Sequence, residues 1–255
     1  MVKNIALVFD VDYTLINGYH PSIILEKRGV DIDQFWKKVS SLQQAEKNNG
    51  EKTNLDIIYL AHFMNEIRYG KLRGLTLQDL RNDGKDLEKL YYPGIPEFFD
   101  KIRKLNSENN ISFNIVSVGI KPLLEGSSLN KYMNYIFGYT FFDDLTPGLA
   151  IDEIKSTTSS SEKISSIVTV SYGNSETDFE FPIKDMIYFG DGMTDIPAFR
   201  FVKKRNGTAI CVYDPNKNDS FDKAQKIKND VNYILPADYR EGSELWKTVV
   251  DIIKS

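Results

Sequence analysis

Two aspartates two residues apart, Asp10 and Asp12, stand directly after the apolar run Asn4-Ile-Ala-Leu-Val-Phe9. Two more, Asp191 and Asp195, lie in Gly190-Asp-Gly-Met-Thr-Asp195, directly after Ile187-Tyr-Phe189. Either pair alone is ordinary: the first reads as a polar exit from a strand, the second as a glycine turn that starts a helix. Together they change what the chain can do. Four carboxylates within a few Å of one another repel strongly at protein-like dielectric, and a hard divalent cation offsets that repulsion. Mg2+ takes a few carboxylate oxygens, waters and a substrate phosphate rather than a closed protein cage. Asp10, Asp191 and a backbone carbonyl near Asp12 fit that pattern and Asp195 helps to hold it, so the expected magnesium set is Asp10, Asp12, Asp191 and Asp195.

A third segment, Ile115-Val-Ser-Val-Gly119, ends an apolar run in the small hydroxyl of Ser117, which can hydrogen-bond a phosphate oxygen. Gly119 lets a backbone N–H approach the same anion. A lysine is then needed to balance carboxylates and phosphate. Lys155 and Lys163 are both candidates, and Lys163 is favoured because Ser161-Glu-Lys-Ile164 opens an apparent helix leading towards the Asp191 strand.

These groups need a scaffold that brings distant segments together. Asn4–Phe9, Ile111–Val116, Asp185–Phe189, Thr208–Tyr213 and the shorter Val231–Leu235 are continuous apolar runs, the pattern of strands buried on both faces. Between them, Pro96–Leu105 places Phe98, Phe99, Ile102 and Leu105 on one helical face after Pro93-Gly94, and Leu245–Ile253 forms a second apolar-faced helix. Strands alternating with helices predict an α/β fold, a Rossmann-like parallel sheet with helices on both faces. In such sheets ligands bind at the carboxyl ends of the strands, where each of the acidic and hydroxyl segments falls.

The region from Gly18 to Lys85 differs. Phe35–Val39 and Leu55–Met64 have helical periodicity, with no buried-strand run between them and a polar break over Glu46–Asn54. The expected organisation is therefore a core of residues 1–17 and 86–255 and a small, mainly helical insert, residues 18–85, placed after the first strand. His20, His62, Asn65, Arg68 and Tyr69 are the insert residues able to reach the site if the insert folds over it. Ser156–Ser161 reads as a solvated loop or the start of a helix, and Ile167–Phe181 as a hairpin or a mobile excursion.

Composition narrows the classes. The chain has 255 residues, 41% hydrophobic and 27% charged, with a net charge of −4. An acidic balance argues against a nucleic-acid or anionic-membrane surface. The single Cys211, in an apolar run, excludes an internal disulfide framework and reads as a buried strand residue. Only two histidines are present, which disfavours a multi-histidine metal centre or a histidine triad. The apolar stretch Ile5–Phe9 is too short for a signal peptide or a membrane span, so the expected location is cytoplasmic.

The combination Asp10-Val-Asp12-Tyr-Thr14, Ser117, Lys163 and Gly190-Asp191-Gly-Met-Thr-Asp195, in this order, resembles the haloacid dehalogenase-like hydrolase superfamily. The tail Ala237–Leu245 resembles its phosphoserine-phosphatase-like branch. The resemblance implies a phosphatase with the insert as a cap over the active site and Mg2+ as cofactor. An insert able to close over the pocket favours a small phosphorylated substrate, with a phosphorylated protein side chain as the alternative if the cap stands open. It implies that Asp10 is the nucleophile and Asp12 the general acid, then base. Thr14 would tie down the loop, Ser117 with the Gly119 amide would hold phosphoryl oxygens, and Lys163 would screen their charge. An acid at position 12 separates this pattern from the superfamily's dehalogenases, since a halide leaves without a proton. The chemistry asks for the same parts: phosphoryl transfer rests on positioning and charge neutralisation, and a carboxylate nucleophile splits hydrolysis into two easier steps. Two other classes use similar groups, a receiver-type phosphoacceptor domain and a catalytically silent phosphate-binding protein. The first is about half this length and has no insert after its nucleophile strand.

Overall fold

The computed structural model describes residues 2–255 apart from 52, 143–149 and 176. Its strands are β1 (Asn4–Phe9), β2 (Asn110–Ile120), β3 (Tyr135–Phe141), β4 (Ile154–Ser156), β5 (Met186–Gly190), β6 (Thr208–Tyr213) and β7 (Tyr233–Pro236). Among the described residues they form one sheet in the order β4-β3-β2-β1-β5-β6-β7, parallel except for β4. This is the expected α/β architecture. The helices are α1 (Pro21–Lys27), α2 (Ile32–Asn48), α3 (Leu55–Tyr69), α4 (Leu77–Asp83), α5 (Glu97–Leu105), α6 (Lys121–Glu125), α7 (Lys163–Tyr172), α8 (Ile196–Lys203), α9 (Ser220–Gln225) and α10 (Glu244–Lys254). No helix among the described residues is long and apolar enough to cross a membrane.

β1 is the hinge of the design. Alternate residues of a strand face opposite sides, so Ile5, Leu7 and Phe9 enter one apolar cluster, while Ala6 and Val8 enter the cluster on the other face. Phe9 stacks on Phe189 of β5 at 4.4 Å and meets Phe99 of α5 edge-on at 5.6 Å. Burial on both faces explains why β1, β5 and β6 read as apolar runs, and β2 as a mainly apolar one in which Ser112 and Asn114 are also buried. Cys211 lies within β6 and is fully buried. The chain leaves β1 for β2 on one side and later returns to β5 on the other. The carboxyl ends of β1, β2 and β5 therefore open together at the point where the strand order reverses, the general ligand site of such sheets.

Helices α1 to α4 lie between β1 and β2 in sequence. Asp31 and Asn54 cap α2 and α3 with their side chains, and Thr76 and Asp79 form a reciprocal capping box on α4. All of the polar break 46–54 is described except residue 52; α2 runs to Asn48, so most of the break is helix end and loop.

One expectation fails, and another holds in only one of its two forms. Ile167–Phe181 is neither a hairpin nor an excursion at its start: α7 extends to Tyr172, Gly173 ends it at φ +60°, and Phe181 returns to bond with Ser171 at both backbone and hydroxyl. The β-branched run Ile167-Val-Thr-Val170 lowers helix propensity, but Ile167 and Val170 are buried on one helical face, and packing overrides propensity. Ser156–Ser161 leads into a helix, as one of the two readings had it, with the Ser159 carbonyl accepting from the Lys163 N–H at 3.1 Å, and is not simply a solvated loop. Ser156 ends β4, Thr158 and Ser159 are buried, and the Ser160 N–H and hydroxyl both donate to Asp56 of α3.

Candidate active site

Asp10 is the first residue past β1, and its N–H donates to the Phe189 carbonyl at 2.9 Å, which extends the β1–β5 ladder by one residue. The chain then turns sharply. The N–H groups of Thr14, Leu15 and Ile16 all converge on the Val11 carbonyl, and Tyr13 sits at φ +54°, a left-handed conformation that costs a non-glycine residue about 1–2 kcal/mol. The Tyr239 hydroxyl braces this turn from below by donating to the Thr14 carbonyl at 2.8 Å. Through that turn Asp10 and Asp12 both line a single cleft of about 360 Å³, together with Gly119 and Asp191.

Lys163 begins α7 and is completely buried. A cation at a helix N-terminus opposes the helix dipole, so its place there is set by carboxylates. Its Nζ lies 2.6 Å from Asp195 Oδ1 and 3.0 Å from Asp10 Oδ1. Burial pulls the ammonium's pKa down, but Asp10 and Asp195 outweigh it and hold Lys163 well above the usual lysine value, so it stays charged. Lys155, the other candidate, lies on β4 and is exposed.

Asp195, also without exposure, spends both oxygens on the protein. Oδ1 accepts from Lys163 and from the Tyr188 hydroxyl at 2.7 Å; Oδ2 accepts from the Asp191 and Gly192 N–H groups at 3.1 and 3.3 Å. Gly190 permits this approach, because a Cβ there would stand 2.4 Å from the Asp195 carboxyl carbon. Asp195 thus fixes the loop that presents Asp191. The Asp191 carboxylate is raised well above the ordinary range by burial first and by Asp195 and Asp10 next. Asp10 is pushed up to about 7 by burial, with Lys163 pulling the other way.

These groups fit a hard divalent cation. Asp10, Asp191 and Asp195 each offer a carboxylate oxygen within 4.8 Å of the others. Asp10 Oδ1 is buried with no aligned hydrogen-bond donor, despite its ion pair with Lys163. With the Asp195 oxygens already engaged, Asp10 and Asp191 are the side chains left to coordinate.

Asp12 has a partner that no motif announces. Its Oδ1 accepts from the His20 N–H at 2.8 Å and faces His20 Nδ1 at 2.6 Å. The Ile120 N–H donates to His20 Nε2 at 2.7 Å, which makes Nε2 the acceptor and leaves the ring proton on Nδ1, directed at Asp12. Both Asp12 bonds fall on Oδ1, so Oδ2 has no protein donor among the described residues. His20 is fully buried, and its ring occupies the space a Cβ at Gly119 would need, 1.6 Å from Cε1. Gly119 is therefore required by His20; its own N–H donates to Ser117 Oγ at 3.1 Å. Ser117 is buried and does not itself line the cleft, although its neighbours Val118 and Gly119 do, and its hydroxyl proton is still to place. Thr14 Oγ1 is buried without a partner, and Thr14 does not line the cleft.

Of the insert residues expected to reach the site, only His20 touches one of its carboxylates. His62 stacks on Phe35 at 4.6 Å away from the cleft, Arg68 bonds the Asp152 carbonyl, and Tyr69 is exposed. Asn65 does not line the cleft. The insert contributes instead Tyr19, Trp36, Asp56 and Tyr59 to the cleft wall. A lone histidine before a proline carries no signal of its role, because its partners are set by a glycine a hundred residues away.

No family model matches the chain. An uncharacterised protein of Borreliella burgdorferi is 28% identical over 280 residues, spanning 98% of this chain and 96% of the relative. Among solved structures, a HAD family hydrolase from Salmonella enterica serovar Typhi is similar, with a TM-score of 0.61 at 17% identity over 92% of this chain and 68% of that one. A substrate-bound phosphoserine phosphatase complex gives a TM-score of 0.60 at 16% identity over 98% and 99%. With β1 at the centre of the sheet and a helical segment between β1 and β2, the chain has the haloacid dehalogenase-like fold, in the form seen in phosphoserine phosphatases.

Proposed function

We propose that this chain is a magnesium-dependent phosphohydrolase that cleaves small phosphate monoesters through an aspartyl-phosphate on Asp10. The observation that carries this reading is the buried Lys163 ammonium, held between Asp195 and an Asp10 carboxylate that opens onto the cleft. A buried ion pair of this kind is a weak source of stability. It is a strong device for screening charge that builds on a phosphoryl group beside Asp10.

In the first step an Asp10 oxygen attacks phosphorus, the ester P–O bond breaks, and Asp12 gives the leaving oxygen a proton from Oδ2. In the second, Asp12 takes a proton from water as that water attacks phosphorus, releasing inorganic phosphate and restoring Asp10. Ser117 donates its hydroxyl to a phosphoryl oxygen. Mg2+, held by Asp10, Asp191 and the backbone near Asp12, supplies further positive charge to the phosphoryl oxygens when bound. Residues 18–85 act as the cap on a core of residues 1–17 and 86–255, and a cleft of about 360 Å³ beneath them favours a small metabolite over a phosphoprotein. The test is phosphate release from p-nitrophenyl phosphate: turnover that needs Mg2+ and stops with EDTA is expected, and turnover indifferent to EDTA refutes the magnesium assignment.

His20 positions Asp12 in this scheme. His20→Gln is expected to lower kcat by about 10- to 100-fold, the usual cost of losing the partner that orients a reacting group. The loss should be larger for an alkyl phosphate, whose leaving oxygen needs the Asp12 proton, than for p-nitrophenyl phosphate. Equal losses on both substrates would assign His20 a purely structural role.

Metal and pH are linked through Asp10 and Asp191. A carboxyl whose pKa is raised by folding keeps its proton in the native state after the unfolded chain has lost it. The stability it confers is full below pH 3.8 and disappears as pH rises to about 7 for Asp10. Metal-free protein should therefore lose thermal stability across that window. Mg2+ replaces the protons, so its stabilisation, about 2.7 kcal/mol at roughly 100 times Kd, should appear only as pH passes neutrality. Melting curves with and without Mg2+ would check this; a pH-independent shift would contradict it.

A further inference from the structure

The cleft is lined by a further carboxylate that the proposed chemistry does not use. Asp56, near the start of α3, is only 7% exposed and lines the cleft beside Tyr59, Trp36 and Tyr19. Its Oδ2 accepts from the Ser160 N–H and hydroxyl, and no described residue donates to Oδ1 or forms an ion pair with the group. The three rings form a continuous wall: Tyr19 to Trp36 is 4.9 Å and Trp36 to Tyr59 is 5.3 Å between centroids. Among the described residues that line the cleft there is no lysine, arginine or histidine. The Lys217 ammonium lies 4.5 Å over the Tyr13 ring without lining the cleft.

Resting on the phosphatase reading above, we propose that the organic part of the substrate carries an ammonium group and no carboxylate: a phosphate monoester of an amino alcohol. Charge complementarity decides the matter. A phosphate ester already brings negative charge into a cleft floored by Asp10, Asp12 and Asp191, where Lys163 and a metal ion balance it. Asp56 adds a further carboxylate to this lining, which disfavours any ester that adds only neutral or negative groups. An ammonium reverses the sign. It forms a charge-assisted hydrogen bond to Asp56 and lies against electron-rich ring faces, the two interactions by which proteins hold organic cations. A substrate carboxylate, as in phosphoserine, would instead meet Asp56 with no cation lining its side of the cleft.

The experiment compares ethanolamine phosphate and choline phosphate with glycerol 3-phosphate, which lacks the cation, and with O-phosphoserine, which adds a carboxylate. Binding is followed by tryptophan fluorescence on the Asp10→Asn protein with Mg2+, and phosphate release is measured on wild type. The amino-alcohol esters are expected to bind about tenfold or more tightly than either comparator, as an ammonium held by a carboxylate and ring faces should. Asp56→Asn should bring the ratio towards one. Tyr19→Leu, at a residue 44% exposed and so tolerant of change, should reduce the same ratio. Equal or tighter binding of glycerol 3-phosphate or phosphoserine overturns the inference, as does failure of every ester to bind. Preferential binding without phosphate release by wild type would uphold the inference and remove the phosphatase reading; p-nitrophenyl phosphate turnover without the preference would do the reverse.

Discussion

Asp10→Asn is expected to reduce Mg2+-dependent phosphate release by about 10⁴-fold or more, since removal of a covalent nucleophile is among the costliest single changes an enzyme can suffer. The substitution keeps the side chain's shape in a site that is almost closed to solvent. It removes one negative charge from the neighbourhood of Asp12, Asp191 and Asp195, so repulsion falls. Lys163 keeps its shorter ion pair, to Asp195 at 2.6 Å. The variant should therefore melt no lower than wild type in the absence of metal. Loss of rate with an intact melting transition isolates chemistry from folding. The proposed aspartyl-phosphate gives a second readout: acid-quenched wild type should carry one phosphoryl group, and Asp10→Asn none. Residual turnover within about tenfold of wild type would remove Asp10 as nucleophile, since a change of that size is only about 1.4 kcal/mol in barrier height.

How much of this was legible before the structure depended on whether a residue's partner was local. β1, β5 and β6 announce themselves because both faces are buried, and that leaves a mainly apolar run; β2 is read the same way although buried Ser112 and Asn114 interrupt it. β3 and β4 do not. Tyr135–Phe141 is half-buried over its first three residues and broken by Gly138, and β4 is three exposed residues at the sheet edge. The acidic positions at the strand ends could be read from type and spacing alone. Their supports could not. Tyr188, the donor to Asp195, looks like any strand aromatic, and the bond of Ser160 to Asp56 joins positions 104 apart. His20 shows the limit most clearly: its role depends on Asp12, on the Ile120 amide and on the missing side chain of Gly119. Long-range pairing of this kind leaves no periodicity in the chain.

Lys163→Ala should cost both activity and stability, whereas Lys155→Ala should change neither. Truncating Lys163 leaves Asp10 and Asp195 buried and facing one another without the ammonium that sits 3.0 and 2.6 Å from them. Breaking a buried pair from one side typically costs about 3–5 kcal/mol, because the remaining charge is unsolvated. Here the carboxyls have an escape: Asp10 can keep its proton, and the same protonation would block both its nucleophilicity and its use as a metal ligand. The rate should fall by about 10³-fold or more, in line with removal of a preorganised charge from the transition state. Added Mg2+ should recover part of the melting temperature but little of the rate, since a cation held by Asp10 and Asp191 would leave Asp195 Oδ1 without the ammonium that paired with it. Lys155, exposed on β4, falls in the class of surface changes worth less than about 0.5 kcal/mol. Phosphate release and melting curves for the two variants side by side separate the cases. A large loss from Lys155→Ala with Lys163→Ala near wild type would mean that the buried ammonium serves the packing of α7 against β1 and that charge screening comes from elsewhere.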